Sequence, residues 1–574
     1  MKKHYILFLL IFLLQGSLFG QITFQQILQQ PDSASSLQTF DSKATPDGGY
    51  ILAGLSSEGS TNVFHPFIMK LNCKGEAQWQ KVFGTTQSTA NVYTKVIVTQ
   101  DSGYAMISNV GVYTNYNGFA VRLDPQGNIL WQKTLNLSSG NDNINDIMQT
   151  SNGQFLITGS VKSTPDVGLV KLDQNGNLIW SKTYGNAGEY DEGSAVIETS
   201  DGGYLITGRY ISMGTFNAFL LKTDTAGTYQ WLKCYGDTLQ HMWGMDVKEM
   251  ANGDFIMAGS TTLLKTNYQA WSDNYVMRLN HSGDTLWTKI FYGTPDQFEN
   301  VANILIDAQQ QILLSVATAS YPTAGFVPNK QAIMKFDGNG NLIDANTYNG
   351  GYSHYPRIAP CPDGTYVMSG FSTAYTGPVG FQTLVIKMDA NLISGCNQTD
   401  VSALTTVTSK NFKVTTPTPL TSNTGSVIAN VSTYVLDVVD STLCSSFPIV
   451  QAVIQPTNGC INTPISFQAP VNGISYWHWD FGDLTTANDT ALIASPNYTY
   501  ASSGTYTVTL IVSNGCESDT LAQAFTVDSP LTHLGLGADL IICKDSSAEI
   551  GTTVFADSYS WNTGDTTATI TVNQ

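Results

Sequence analysis

Charge is scarce in this chain. Only 12% of its 574 residues are charged, and 44 acidic residues outnumber 26 basic ones, for a formal net charge of −18. No stretch concentrates positive charge against phosphates, which excludes nucleic acid as a partner. Histidine is equally sparse: the seven stand at 4, 65, 241, 281, 354, 478 and 533, and no two have metal-ligand spacing such as HExxH. No GxSxG elbow, P-loop or Rossmann glycine pattern sits where it would have meaning. No catalytic residue, metal site or cofactor is therefore assigned. Eight cysteines are too few to build a fold from disulfides, although they fit an oxidising compartment. After residue 20 no run is long and apolar enough to span a bilayer.

What is present points one way. Thr, Ser, Asn and Gly are abundant and aromatics reach 11%, a mix that suits β-rich extracellular modules. The length exceeds what one hydrophobic core supports, so several domains or a repeat are expected. Residues 1–20, MKKHYILFLLIFLLQGSLFG, run from Lys2 and Lys3 through an apolar stretch to small residues, the pattern of a secretory signal peptide cleaved after Gly20. The expected location of the mature chain is secreted or at the cell surface.

The stretch LDQNGNLIWSKTYG (172–185) places Asp173, Asn175 and Asn177 around Gly176, as the first ligands of an EF-hand would stand. Ile179, Trp180 and Tyr184 then fill positions that need oxygen donors, and no Glu closes the loop. A tight turn between two strands is the better reading, because Asn and Gly accept left-handed dihedrals. The stretch also recurs. Tryptophans stand at 79, 131, 180, 231 and 287, and a second marker precedes each: DGGY (47–50), DSGY (101–104), NGQF (152–155), DGGY (201–204), NGDF (252–255), with DGTY at 363–366. Residues 309–312 hold a degenerate copy. Seven units of about fifty residues signal a propeller, solenoid or array. Each reads as four short strands, in the fourth unit SAVIET, YLITGR, AFLLKTD and TYQWLKCY. The seventh unit lacks its Trp strand, whereas ITFQQIL (22–28) carries Phe24 at 55 residues before Trp79. The first strand is expected to complete the last blade, which removes exposed edges.

On these motifs residues 21–397 resemble the secreted bacterial seven-bladed β-propellers whose blades carry a DGGY…G…KxDxxGxxxW pattern; the sixth unit departs from it, with Asp344 in the Trp position. The pattern specifies fold well and function poorly. Residues 447–528, with YWHWDFGD (476–483) and a later TYTVTL strand, resemble the PKD domain, which implies an immunoglobulin-like β-sandwich. Asp480 and Asp483 there read as turn acceptors rather than a catalytic pair. Residues 529–574 resemble the first part of an Ig-like repeat of surface proteins exported by the type IX system, and in such repeats a second Cys and further strands follow. The fold class is thus all-β: a seven-bladed β-propeller followed by immunoglobulin-like β-sandwich modules. The Thr/Ser-rich segment 398–446 is expected to add strands packed near the propeller exit. Cys396 and Cys444 bracket that segment and Cys460 and Cys516 bracket another, so two disulfides are expected. Cys73, Cys234 and Cys361 are expected as buried thiols, and Cys543 has no evident partner.

Unusual residues collect on one face. In a four-stranded blade the segments leading into strand one and the loops between strands two and three lie together. These segments carry Tyr190, Asp191, His241, Trp243, Phe298, Glu299, His354 and Tyr355, and the long loop 261–274 carries Trp271. Aromatic rings among polar residues suit a ligand with apolar faces and polar edges, such as an extracellular polysaccharide or a surface protein. Binding or adhesion is the expected function. Two alternatives stay open: a structural surface module without a discrete ligand, and a polysaccharide-degrading enzyme in the propeller funnel. The last would need a close carboxylate pair among Asp142, Glu189, Asp191, Glu192 and Glu299.

Overall fold

The computed structural model describes residues 22–573 apart from short stretches between strands, the longest being 263–272, 294–298, 322–329, 349–353, 373–380, 530–535 and 537–541. Two units are distinct, residues 1–449 and 450–574. The first is a seven-bladed propeller. Its innermost strands are Ser36–Ala44, Thr89–Val98, Asp142–Gln149, Glu192–Glu198, Met242–Glu249, Glu299–Ile306 and His354–Pro360. Each touches the next and the seventh touches the first, so the ring is closed. Blade 4 shows the plan: Glu192–Glu198, Tyr204–Ser212, Thr215–Thr223 and Tyr229–Gly236 pair antiparallel in sequence order. In blade 7 the fourth strand is Thr23–Gln29, with Phe24 opposite Lys387 of the third.

Apolar side chains on both faces of each blade fill the gaps between blades. One buried cluster joins Ile107 and Leu135 of blade 2 to Ile147 and Ile157 of blade 3, and another joins Leu205 and Leu220 of blade 4 to Met257 and Met277 of blade 5. The repeat signature sits at these seams. In the turn Asp173–Asn177, the Asp173 carboxylate accepts the backbone N–H groups of Asn175 and Asn177, each at 2.8 Å. Gly176 there has φ +75°, and a Cβ on it would fall 2.8 Å from the Trp131 ring of the preceding blade. The Trp therefore packs flat on a residue that must be Gly for two reasons, its left-handed backbone and the missing methyl. Trp79, Trp180, Trp231 and Trp287 meet Gly127, Gly227, Gly283 and Gly340 in the same way. Phe24 meets Gly75 in blade 1 and so closes the circle. Where blade 6 carries Asp344 instead of Trp, the next turn carries Leu392 instead of Gly, at φ +66° and buried. Leucine fills the space the absent indole leaves.

Every inner strand also carries a bulge at one level, ending at Asp41, Lys95, Asp146, Ala195, Asp246, Asn303 and Arg357. Bulges sharpen twist and re-aim side chains, and all of these residues but Ala195 line a cavity on the axis. In four blades the partner strand answers with a glycine. A Cβ on Gly54, Gly159, Gly208 or Gly259 would lie 1.8–1.9 Å from a carbonyl oxygen of the bulged strand.

The blades have a fifth strand, which the sequence reading did not foresee. The segment 398–446 does not pack near the propeller exit. It runs once round the circumference, adding an outer strand to each blade in descending order. Gln398–Asp400 joins blade 6, Thr406–Ser409 blade 5, Lys413–Thr415 blade 4, Leu420–Asn423 blade 3, Ser426–Ala429 blade 2 and Thr433–Tyr434 blade 1. Val439–Ser446 then pairs with Thr23–Gln29 in blade 7. The Cys396–Cys444 disulfide joins the two ends of this belt across 48 residues. Segments of two to four residues cannot hold as isolated strands. They hold here because every blade offers an unpaired edge.

In residues 450–574, Asn458–Cys460, Ser518–Asp528, Gly504–Ser513, Tyr476–Asp480 and Thr490–Ala491 form one sheet in that order, and Ile465–Ser466 pairs with Asn497–Tyr498 in a second. Phe467, Trp479, Phe481, Tyr500 and Phe525 pack between them. Farther on, Ser547–Gly551 and Thr569–Asn573 pair. One expected bridge is not formed: Cys460 is a free, exposed thiol. It pairs with Asp528 at one end of the Ser518–Asp528 strand, whereas Cys516 lies before the other end. Ten residues of strand separate them by roughly 30 Å, far beyond disulfide reach. Cys234 and Cys361 are buried free thiols, but Cys73 is disulfide-bonded.

Gly176→Ala should destabilise the chain by about 1–3 kcal/mol in denaturant titration, because it strains the turn and lifts the Trp131 ring. Replacing both Cys396 and Cys444 by Ser should cost up to roughly 4 kcal/mol, the loop-entropy value for a ring of this size. Limited proteolysis should then cut first within 401–443, and unchanged resistance would argue against the belt.

Candidate functional site

The inner strands begin on one face of the propeller, and the loops between second and third strands lie on the same side. On this upper face blades 4 and 5 build a row of rings. The Arg209 guanidinium lies over the Tyr190 ring at 4.5 Å and over the Phe216 ring at 5.3 Å. Phe216 meets His241 at 5.4 Å between centroids, and His241 stacks on Trp243 at 6.1 Å with planes 22° apart. All five are only partly buried, so each keeps some surface to solvent.

The row is held from beneath. Arg209 pairs with Glu192 at 2.5 Å, and Glu192 also accepts the Asn145 side-chain amide at 2.7 Å. The Phe216 N–H donates to His241 Nδ1 at 3.2 Å, which leaves Nε2 as the histidine's proton-bearing nitrogen. The His241 N–H donates to Thr262 Oγ1 at 3.0 Å, and the Tyr275 hydroxyl donates to the Trp243 carbonyl at 3.1 Å. A planar cation between aromatic faces, followed by a stacked His and Trp, offers apolar surfaces with donors at their edges.

The carboxylates beside this row are turned inward. Asp191 is fully buried and accepts the N–H groups of Asn186 at 3.0 Å and Ile211 at 2.8 Å. Asp142 accepts those of Leu137 and Ser138 at 2.6 and 2.9 Å, and Glu299 accepts the Gly293 N–H at 3.1 Å and the Asn274 amide at 2.9 Å. Each stands four residues before its blade's bulge residue and caps the strand end of the blade before it. They are equivalent positions on different blades, so their shared role is structural. Burial pushes the Asp191 carboxyl up to about 7, and the nearby Asp166 and Glu189 charges add to this against its two N–H partners. In residues 450–574, Asp480 accepts the Gly482 N–H, and Asp483 accepts from Thr485 and Tyr498. Both serve their own turn. No group of three His, Cys, Asp or Glu among the described residues is arranged to hold a metal ion.

Of the residues singled out from the sequence, Tyr190, His241 and Trp243 come together in the row. Asp191 and Glu299 lie below the surface as caps. His354 and Tyr355 belong to the first strand of blade 7, with side chains outside the described set, and Trp271 and Phe298 lie outside the described residues. Sequence reasoning missed Arg209 and Phe216. Arg209 follows Gly208 in the second strand, where blades 3 and 5 have Ser160 and Ser260, so the one cation at that repeat position was a readable signal.

In the folded chain Asp191 keeps its proton to about pH 7, whereas an unfolded Asp loses it near 4. The folded state therefore binds more protons between those values, and stability from this group is complete below about pH 4 and lost as pH rises through 7. The thermal midpoint should fall between pH 5 and pH 8, and Asp191→Asn should flatten that slope. Carbon-13 titration of the carboxyl tests the assignment directly.

Comparison with known proteins adds the following. The PKD domain family matches residues 446–528, so the chain carries a PKD domain there. No curated protein matches the sequence. Among solved structures the chain is similar to the polysaccharide lyase Uly1, at 9% identity and TM-score 0.37 over 60% of this chain and 88% of that one. It is also similar to a PL25 ulvan lyase bound to a sulfated disaccharide unit, at 10% identity and TM-score 0.29 over 69% and 95%. An exo-β-1,3-galactanase from Clostridium thermocellum aligns at 13% identity and TM-score 0.28 over 62% and 95%. These likenesses are too distant to carry a substrate or a reaction across. This chain is an all-β protein with a seven-bladed propeller and a PKD domain.

Proposed function

We propose that the chain is an extracellular binding protein whose propeller takes up polysaccharide on its upper face, with the PKD domain and the residues after it as spacers. The observation that carries this reading is the row Tyr190–Arg209–Phe216–His241–Trp243, five partly exposed groups that span two blades. Arg209, Phe216 and Trp243 stand on paired strands and His241 is held by two backbone hydrogen bonds, so little rotamer entropy is lost on binding. Centroid spacings of 5.4 and 6.1 Å place neighbouring rings within reach of one or two sugar residues.

A second reading, cleavage of the same polysaccharide, has one observation in its favour. Asp191, next to Tyr190, has its carboxyl raised to about 7, the range in which a general acid works near neutral pH. Against it, both Asp191 oxygens accept backbone N–H groups, which turns the carboxyl inward; Glu189, whose charge acts on Asp191, is the exposed carboxylate beside it.

The test is a screen of the mature full-length chain against neutral and acidic polysaccharides, beside Trp243→Ala and Tyr190→Ala. Each substitution should weaken binding about tenfold or more, equivalent to about 1.4 kcal/mol. Retained affinity in both folded variants would remove the row from the site. Release of reducing ends or unsaturated products would favour cleavage over binding alone.

A further inference from the structure

The opposite end of the axis holds a second feature. Below the ring of bulge residues lies a cavity of about 400 Å³, on the side of the strand one–two turns and away from the aromatic row. Its wall is charged, with Asp41, Asp146, Asp246 and Glu198 against Lys43, Lys95, Lys248 and Arg357. The volume falls in the range of small-molecule sites, whose interiors are usually more apolar than this.

The carboxylates are all engaged. Asp41 binds Lys43 at 2.7 Å and its other oxygen accepts the Val96 N–H of blade 2 at 3.1 Å. Asp246 binds Lys248 at 2.8 Å and accepts the Ile304 N–H of blade 6 at 2.8 Å. Asp146 meets Lys95 at 3.4 Å and accepts the Val196 N–H of blade 4 at 3.0 Å. Glu198, nearer the rim, accepts from the Ser151 N–H and hydroxyl. Asn303, beside Arg357, uses its amide on both backbone groups of Ile358. Three aspartates thus stitch neighbouring blades and neutralise three lysines. Arg357 is the fourth cation; its charge acts on Asp41, but among the described residues its guanidinium has no ion pair and no hydrogen bond.

We propose that the axial cavity is a binding site for a small molecule bearing a carboxylate or sulfate group, which Arg357 receives with Lys95 beside it. A guanidinium presents its donors in a planar fork that matches either oxyanion. Lys95 reports the same imbalance: burial first, and then the Arg357 charge, lower its pKa to about 8 despite three aspartates. An anion between the two would relieve both cations. Ala359, two residues after Arg357 and so on the same face of its strand, is the small side chain in the cavity wall beside that guanidinium.

Isothermal titration of the mature full-length chain with sodium sulfate, glucuronate and glucose tests this. Saturable binding of glucuronate or sulfate, with none for glucose, is the expected result. Sulfate and glucuronate alike would indicate the oxyanion alone as the ligand group, and glucuronate alone a sugar acid. Arg357→Gln should weaken that binding at least tenfold. Ala359→Leu leaves every charge in place and fills the cavity beside Arg357, so it should abolish binding in a variant with an unchanged circular dichroism spectrum. No saturable binding of either anion, equal binding of glucose, or indifference to both substitutions would overturn the proposal.

Discussion

The contact of each tryptophan with the glycine turn of the following blade is what the propeller depends on. It couples a large apolar ring to a backbone conformation that only glycine adopts cheaply, so neither partner can change alone. Blade 6 shows the coupling from the other side, where Asp344 and Leu392 depart from the pattern together. Because the contact runs from one blade to the next, it is also directional. A ring built from directional contacts has one seam, and Phe24 against Gly75 closes it.

Around that ring the belt supplies what the repeat itself does not. Four-stranded blades end in an open edge, and seven such edges would face solvent. The belt pairs part of every one of them, and the disulfide makes it a closed covalent loop. Inside, the aspartates at the bulge positions accept N–H groups from the next blade and act as a second, polar set of stitches. Hydrophobic seams, belt and axial hydrogen bonds therefore all act between blades.

The propeller was legible because its signature is local: Asp, Gly and Trp fall within a dozen residues of each other, fifty residues apart. The PKD sandwich was legible for the same reason, through Trp479 and Phe481. The belt was not, since strands such as Thr433–Tyr434 are too short to show a period and their partners lie hundreds of residues away. The candidate site was half visible. Tyr190, His241 and Trp243 stood out as aromatics at strand starts, but Arg209 joins them only through the register that sets it opposite Glu192. Asp191 and Glu299 looked like surface acids because a sequence does not reveal which backbone amides lack a partner. The Cys460 expectation failed because bracketing a segment in sequence says nothing about which ends of a strand meet.

Blade 7 draws its strands from residues 23–29, 354–388 and 439–446. The first strand to leave the ribosome is thus among the last to find neighbours. At synthesis rates of 5–20 residues per second, Thr23–Gln29 waits roughly 20–85 s before residue 446 exists. Until residues 382–388 follow it out, the segment TFQQILQ has no ladder to join. Ring completion accordingly waits for residues 382–388 and the belt for residue 446, and a chain released short of the belt would carry seven open edges ready to pair with another molecule.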